Sequence, residues 1–526
     1  ATSGTDYAPA TSGSAILKGN GAGGFLTASA GVDYENPLTF STGLSRSANT
    51  VSLSTSGVSA GSYTSADITV DAYGRVTAAA NGSGGGGSAL IDAEIYVSFP
   101  TGHGSTNTMI RTFGVKNKDT GGAYVSYTSD LVNGDKFTVL TAGQYAYCYG
   151  DTRNGDMSVA VTVNDSAMTT QARTPITYAQ GLRHLYQGVS LSDSGQACDV
   201  SDLAVNDIVR AHDDGNNTST SSTGYFYIIY LGPTVGKEFY VDNPAGYGST
   251  NTLIRTYTAA AASVRVNSGS NYTFTQSSTN GDTITVLSDG LYWVCRTDMR
   301  TSSGVMDTGV TVNAGANVSS GSDTLTYAQG RRFVAKTANG YYTQTGQMCG
   351  PLNLTNGDIL RAHEGTGLAN TTDAHGAFRI TKISSSKNAV YADTGAGYGS
   401  SLTKFRTLGN IRDLGVSGIG VGNSGVSGTS LNTYASAVYV GCMQDAGGDI
   451  PITGVLLNPR VGTANISSPM DYNDGFRGYR GNASPNSTSQ ACSFGIMGAD
   501  GNIVFGGNAA TTNTNAYINF TGAKLN

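Results

Sequence analysis

The chain has 526 residues, of which only 13% are charged and 73 are glycine, and its formal net charge is −6. No Lys/Arg cluster offers the phosphate-neutralising patch that a nucleic-acid partner requires, and no run of about 18 apolar residues exists to span a membrane as a helix. Abundant Gly, Ser, Thr, Asn and Tyr, with no helical apolar spacing sustained over several turns, predict an all-β chain. The length suits about three or four domains. The first residues lack the basic region and apolar core of a signal peptide. The start at Ala1 is expected of one part of a longer polypeptide.

Residues 1–81 read as a repetitive, core-poor segment. Ser3-Gly4-Thr5-Asp6-Tyr7 returns about 27 residues later as Ala30-Gly31-Val32-Asp33-Tyr34. Between them, small apolar pieces are cut by Gly-Asn-Gly and Gly-Gly, too little apolar surface for a compact unit. Such a segment is either wound with identical chains or an extended tether. It closes on a predicted hairpin, Ile68-Thr69-Val70 and Arg75-Val76-Thr77 about the turn Asp71-Ala72-Tyr73-Gly74. The glycine block at 82–89 then reads as a linker.

Three long repeats follow, assigned to 90–234, 235–385 and 386–526, the last divergent. "GHGSTNTMIRTF" (102–113) matches "GYGSTNTLIRTY" (246–257) and "GYGSSLTKFRTL" (397–408). "NGDKFTVLTAGQYAYC" (133–148) matches "NGDTITVLSDGLYWVC" (280–295), and "TYAQGLR" (177–183) matches "TYAQGRR" (326–332) with "DYNDGFR" (471–477) as an echo. "NDIVRAHDDG" (206–215) matches "GDILRAHEGTG" (357–367). Each repeat, at roughly 140 residues, is long enough for its own core. Short alternating runs between Asn-Gly-Asp and Gly-rich turns predict an antiparallel β-sandwich in each.

The six cysteines fall two to a repeat: Cys148 and Cys198, Cys295 and Cys349, Cys442 and Cys492. The second of each pair stands in "GQAC", "GQMC" or "SQAC". One disulfide per repeat is a candidate, provided the Cα atoms lie within about 7 Å. Pairing needs an oxidising compartment, so the preferred reading is a small buried cysteine packing as a hydrophobe. No C-x-x-C or H-x-x-x-H spacing supports zinc, and neither a metal nor a cofactor is expected.

Catalytic chemistry finds no motif. His212 and His363, beside carboxylates in the "RAH" stretches, are read as exposed strand-end positions, because the third repeat has "GNIVFGG" (501–507) there. His103 aligns with Tyr247 and Tyr398 and is read as a planar loop residue. Asp135, Asp282, Asp207 and Asp358 suit turn chemistry. No nucleophile elbow, P-loop or dinucleotide fingerprint occurs, and no two acids are singled out for glycoside hydrolysis, so an enzyme is not expected. Tyr, Asn, Ser and Gly gather in "GFRGYRGNASPNS" (475–487), a composition suited to recognition loops. Tyr472, Phe476, Arg477, Tyr479 and Arg480 are the candidate receptor-contact residues on such a loop.

The segment from "GTDYAPATSGSAILKGNG" to "SANTVSL", followed by "ADITVDAYGRVTAAANG", resembles the repeat of tail-fibre and other virion fibre proteins of tailed bacteriophages. The later repeats resemble, more weakly, the trimeric jelly rolls of the C1q and tumour-necrosis-factor type, through "GQYAYC" and "GLYWVC" and a closing aromatic strand. Those families are richer in Phe. The resemblance implies a non-enzymatic virion appendage assembled in the host cytoplasm: a homotrimeric tail fibre or adhesin with three stacked jelly-roll trimers. Its N-terminal segment would join other tail or capsid proteins, and its outermost domain would meet a host glycan or protein. A capsid-attached head fibre or decoration protein and a polysaccharide-degrading tailspike are the alternatives. So is a pseudo-threefold ring of the three repeats within one chain.

Overall fold

The computed structural model describes 16–29, 32–33, 44–47, 50–53, 58–59, 61–62, 67–72 and 75–80 in the N-terminal part. From residue 92 onward it describes the chain apart from 100–103, 154–156, 173–175, 189–192, 214–223, 235–237, 244–246, 258–263, 268–269, 301–305, 316–324, 338–343, 366–374, 395–397, 400–405, 409, 413–418, 425–427, 447–451, 458–475, 482–487 and 508–516. The chain divides into two compact units, Ala1–Ala89 and Leu90–Asn526. Among the described residues no helix is long and apolar enough to cross a membrane.

The described strands of the first unit form antiparallel pairs: Leu17–Gly19 with Phe25–Thr27, Leu44–Ser47 with Thr50–Leu53, and Asp67–Val70 with Val76–Ala80. The last is the hairpin expected before the glycine block. Its turn is closed by Asp71, whose carboxylate accepts from the Arg75 backbone N–H at 3.0 Å and pairs with the Arg75 guanidinium at 2.6 Å. Phe25, Leu26, Val51, Leu53, Ile68 and Val70 are all exposed. Two-stranded pairs with uncovered apolar side chains are marginal in water. The linker 82–89 lies outside the described residues.

In the second unit each repeat folds into two five-stranded antiparallel sheets. The strands of the first repeat are, in order, Glu94–Phe99, Val115–Asp119, Val125–Thr128, Lys136–Val139, Gly143–Arg153, Met157–Val163, Leu182–Gly188, Asp193–Leu203, Ile208–Asp213 and Gly224–Gly232. Counted in that order, one sheet runs 8-5-10-1-2 and the other 7-6-9-4-3. The second and third repeats use the same two orders, which are those of a jelly roll. Each sandwich has its own core between its sheets. Phe137, Tyr145, Tyr147, Val161 and Phe226 meet in the first, Phe239, Tyr292, Val310 and Phe378 in the second, and Tyr439, Val455, Phe505 and Phe520 in the third.

The repeated motifs hold this frame. Gly134 and Gly281 of "NGD" have φ of +87° and +82°, and a Cβ on either would overlap the isoleucine of the "IRT" segment, Ile110 or Ile254. The next residue, Asp135, accepts from the backbone N–H of Phe113 at 2.7 Å and of Asp130 at 2.8 Å. Asp282 does the same with Tyr257 and Ser277 at 2.7 and 2.8 Å. Asp207 and Asp358 each accept from a turn N–H, of Ala204 and Thr355, at 2.8 and 2.7 Å. Turn chemistry accounts for all four.

The "IRT" arginines are buried. Arg111 pairs with Asp151 and Asp213, each at 2.5 Å, so one cation ties strand 5 of one sheet to strand 9 of the other. Arg255 bridges Asp298 and Glu364 in the same way, at 2.8 and 2.9 Å. Arg296, which takes the place of Tyr149, is a second cation on Glu364.

The histidines correct the expectation of exposed positions. His212 is fully buried, with Nδ1 2.5 Å from Asp165 Oδ2 and Nε2 2.6 Å from the Thr170 carbonyl. His363 is also fully buried, and its backbone bridges Ile254 as that of His212 bridges Ile110. Both follow the "RA" of strand 9 and are covered by the "IRT" segment. His103 lies outside the described residues.

Candidate functional site at the junction of the three repeats

Strand 5 of each repeat carries two apolar faces because its side chains alternate with period two. In Gly143–Arg153, Tyr145, Tyr147 and Tyr149 enter the repeat's own core, while Ala146 and Cys148 point to the other face. In Gly290–Arg300, Tyr292 and Val294 turn inward and Leu291, Trp293 and Cys295 outward. In the third repeat Tyr439 and Met443 turn inward, and Val438, Val440 and Cys442 outward. The outward residues of all three repeats meet in one further core with Tyr227, Ile229 and Phe494. Trp293, the chain's only tryptophan, lies there 5.0 Å from the Phe494 ring. The repeats therefore close around a shared centre, which corrects the expected stack of three separate trimers in favour of the single-chain ring.

The cysteines sit at this centre and are joined in pairs, Cys148–Cys198, Cys295–Cys349 and Cys442–Cys492, correcting the preference for unpaired thiols. Each pair is directly opposed on strands 5 and 8, with Cα atoms 4.0–4.1 Å apart. At that spacing the two side chains leave the same face side by side.

The glutamine two residues before the second cysteine is the clasp. Gln196 of the first repeat donates to the Cys492 carbonyl at 2.6 Å and accepts from the Cys492 N–H at 2.8 Å. Gln490 of the third repeat makes the same two bonds to Cys349 of the second, at 2.5 and 3.0 Å. Gln347 departs from this pattern: its amide donates to Cys349 Sγ within its own repeat at 3.5 Å.

A buried polar network fills the junction of the first and second repeats. Asp199 accepts from Trp293 Nε1 at 3.0 Å and pairs with Arg379. Arg379 also meets Glu238 at 3.0 Å and lies 4.7 Å over the Tyr240 ring. Burial pushes the Asp199 carboxyl up to about 7 against the pull of Arg379. Nearby Asp202 is also pushed up to about 7, by burial and then by the Glu238 charge across the junction.

The "TYAQG" motif seals the rim of two junctions. Thr177 and Gln180 cap each other around a short 3-10 turn ended by left-handed Gly181. That turn places Tyr178 4.8 Å from Tyr240 of the next repeat, with Arg183 4.0 Å above it. Tyr327 meets Tyr391 of the third repeat at 4.5 Å, with Arg332 at 3.9 Å.

Among the candidate receptor-contact residues, Phe476, Arg477, Tyr479 and Arg480 do not form a loop. They lie in the strand Phe476–Gly481, paired with Ile452–Leu457 and running beside Asp193–Leu203 of the first repeat. Tyr472 lies outside the described residues. Sequence reasoning singled out the cysteines but missed Gln196, Gln490, Asp199 and Arg379. The recurring "Q-x-C" was the available signal for the glutamines.

No family model matches the chain, and no curated protein matches it at a significant level. Similar solved structures include the globular domain of the zebrafish complement 1qA protein. It is 13% identical over 27% of this chain and 100% of that one, with a TM-score of 0.21. A structure described as the triple jelly roll fold and turret assembly in an archaeal virus is 9% identical over 84% of this chain and 99% of that one, with a TM-score of 0.18. One of Sulfolobus turreted icosahedral virus is 10% identical over 82% and 100%, with a TM-score of 0.17. The chain's own sheet order, repeated in all three repeats, is that of a jelly roll.

Proposed function

We propose that this chain is a structural, non-enzymatic virion protein: a projecting fibre of a tailed bacteriophage that meets the host cell surface. The observation that carries this reading is the closure of three jelly rolls around one core in a single chain that begins with fibre-like repeats. A ring whose junctions are filled by its own side chains makes a rigid carrier for surface loops, where recognition residues tend to sit. The first unit, with its uncovered apolar residues, is the part proposed to join further copies or other virion proteins. A homotrimer then forms through that unit, each chain adding one ring.

Antibody labelling of intact particles tests the reading. Label at the tail tips supports a tail fibre, and label on the capsid would make the chain a head fibre. Label on neither would overturn the virion assignment. Incubation with host envelopes should show binding without release of reducing sugar ends; their release would instead establish a polysaccharide-degrading spike.

A further inference from the structure

The junction of the first and second repeats breaks the pseudo-threefold pattern twice, and both breaks point at the same two sulfurs. The first is His184. Counted from the start of the "TYAQG" motif and its echo, its equivalents are Phe333 and Gly478. His184 is buried, and its Nδ1 lies 3.5 Å from Cys295 Sγ of the next repeat. The second is Gln347, which donates to Cys349 Sγ where its two counterparts clasp a neighbouring backbone. The ligand atoms of His184, Cys295 and Cys349 all lie within 4.8 Å of one another.

We propose that these three residues, with the cysteines reduced, form a binding site for a thiophilic cation of the zinc class. Imidazole and two thiolates are a zinc donor set, with Zn–S near 2.3 Å and Zn–N near 2.0–2.1 Å. Tetrahedral angles at those lengths put nitrogen and sulfur about 3.5 Å apart and the two sulfurs about 3.8 Å apart; the first is the His184–Cys295 separation, and the second requires the bonded Cys295 and Cys349 sulfurs to part. The Gln347 amide would stabilise the Cys349 thiolate as an outer partner. Asp199 Oδ2, 3.8 Å from His184 Nδ1, adds negative charge beside the site, offset by the Arg379 guanidinium paired with it. Binding releases the two thiol protons. The disulfide and the metal exclude each other: a thiol or phosphine reductant must supply two electrons to break the S–S bond, with two protons taken up to give the thiols that the ion then deprotonates. Among the described residues this is the one junction with such a donor set. The ligands come from different repeats, 111 residues apart, so no local spacing announces them.

The test uses the full chain, produced and kept under a phosphine reductant and titrated with Co2+ as the probe. The expected result is one equivalent bound, with a thiolate-to-cobalt charge-transfer absorption that Zn2+ abolishes. His184→Phe, the residue of the second repeat, and His184→Asn should each weaken cobalt binding more than about tenfold. Cys148→Ser with Cys442→Ser should leave it unchanged. Trp293 emission and circular dichroism report whether each variant is folded. The proposal is overturned if the reduced wild-type chain binds no Co2+. It is equally overturned if both folded His184 variants bind like wild type, or if the Cys148/Cys442 variant loses the site.

Discussion

The residues that fix each sandwich are buried ions and turn carboxylates, and their effects are local. Arg111 neutralises Asp151 and Asp213 out of water, so Arg111→Met takes that shared cation away from two facing carboxylates. Breaking a buried pair on one side costs about 3–5 kcal/mol, and urea unfolding should show a loss of that size. Asp202 gives the opposite sign. Its carboxyl titrates near 7 in the fold and near 3.9 unfolded. An acid raised in this way stabilises the fold fully only below its unfolded value, and that contribution is lost as pH climbs from about 4 to about 7. Asp202→Asn should therefore raise stability at pH 8 more than at pH 5, by about 1–3 kcal/mol, read from urea midpoints at the two pH values. Sequence showed Asp135, Asp282, Asp207 and Asp358 as turn residues, because the "NGD" and strand-entry contexts are local. It misplaced His212 and His363, because the segment that buries them lies about 100 residues upstream.

At the scale of elements, strands 5 and 8 are buried on both faces, and the second face is what makes the ring. Gln196 and Gln490 each satisfy both polar groups of a neighbouring cysteine backbone in the dry centre. Gln196→Leu and Gln490→Leu leave a buried N–H and C=O unpaired, at about 1–3 kcal/mol per group. Gln347→Leu should cost less in the oxidised protein, because its amide bonds Cys349 Sγ within its own repeat rather than a neighbouring backbone. Thermal unfolding followed by Trp293 fluorescence compares the three. Cys442→Ser with Cys492→Ser opens a link of sequence separation 50. Loss of a native link of this kind costs about 2–4 kcal/mol, measured by the same melt. The cysteine spacing made the pairs visible as candidates. The preference for unpaired thiols failed because it argued from compartment, whereas directly opposed strand positions put the sulfurs within bonding reach.

On the scale of the whole molecule, the second unit needs no other chain to cover its inner faces. Electron microscopy of the purified protein should show single-chain rings, one per chain, whatever the oligomer formed through the first unit. Heads built from one equivalent repeat of each of three chains would contradict this. The sequence by itself determined the all-β class, the three repeats and the two cysteines carried by each, since period-two alternation and turn residues act within a few positions. Only the tertiary structure decided what covers the outer face of each sheet. An apolar strand face records that it is buried, not which partner buries it, and here the partners lie in another repeat, 94 residues away along the chain for Trp293 and Asp199 and 296 for Gln196 and Cys492. The same distance explains why Gln196, Asp199, His184 and Arg379 became meaningful only once the ring had closed.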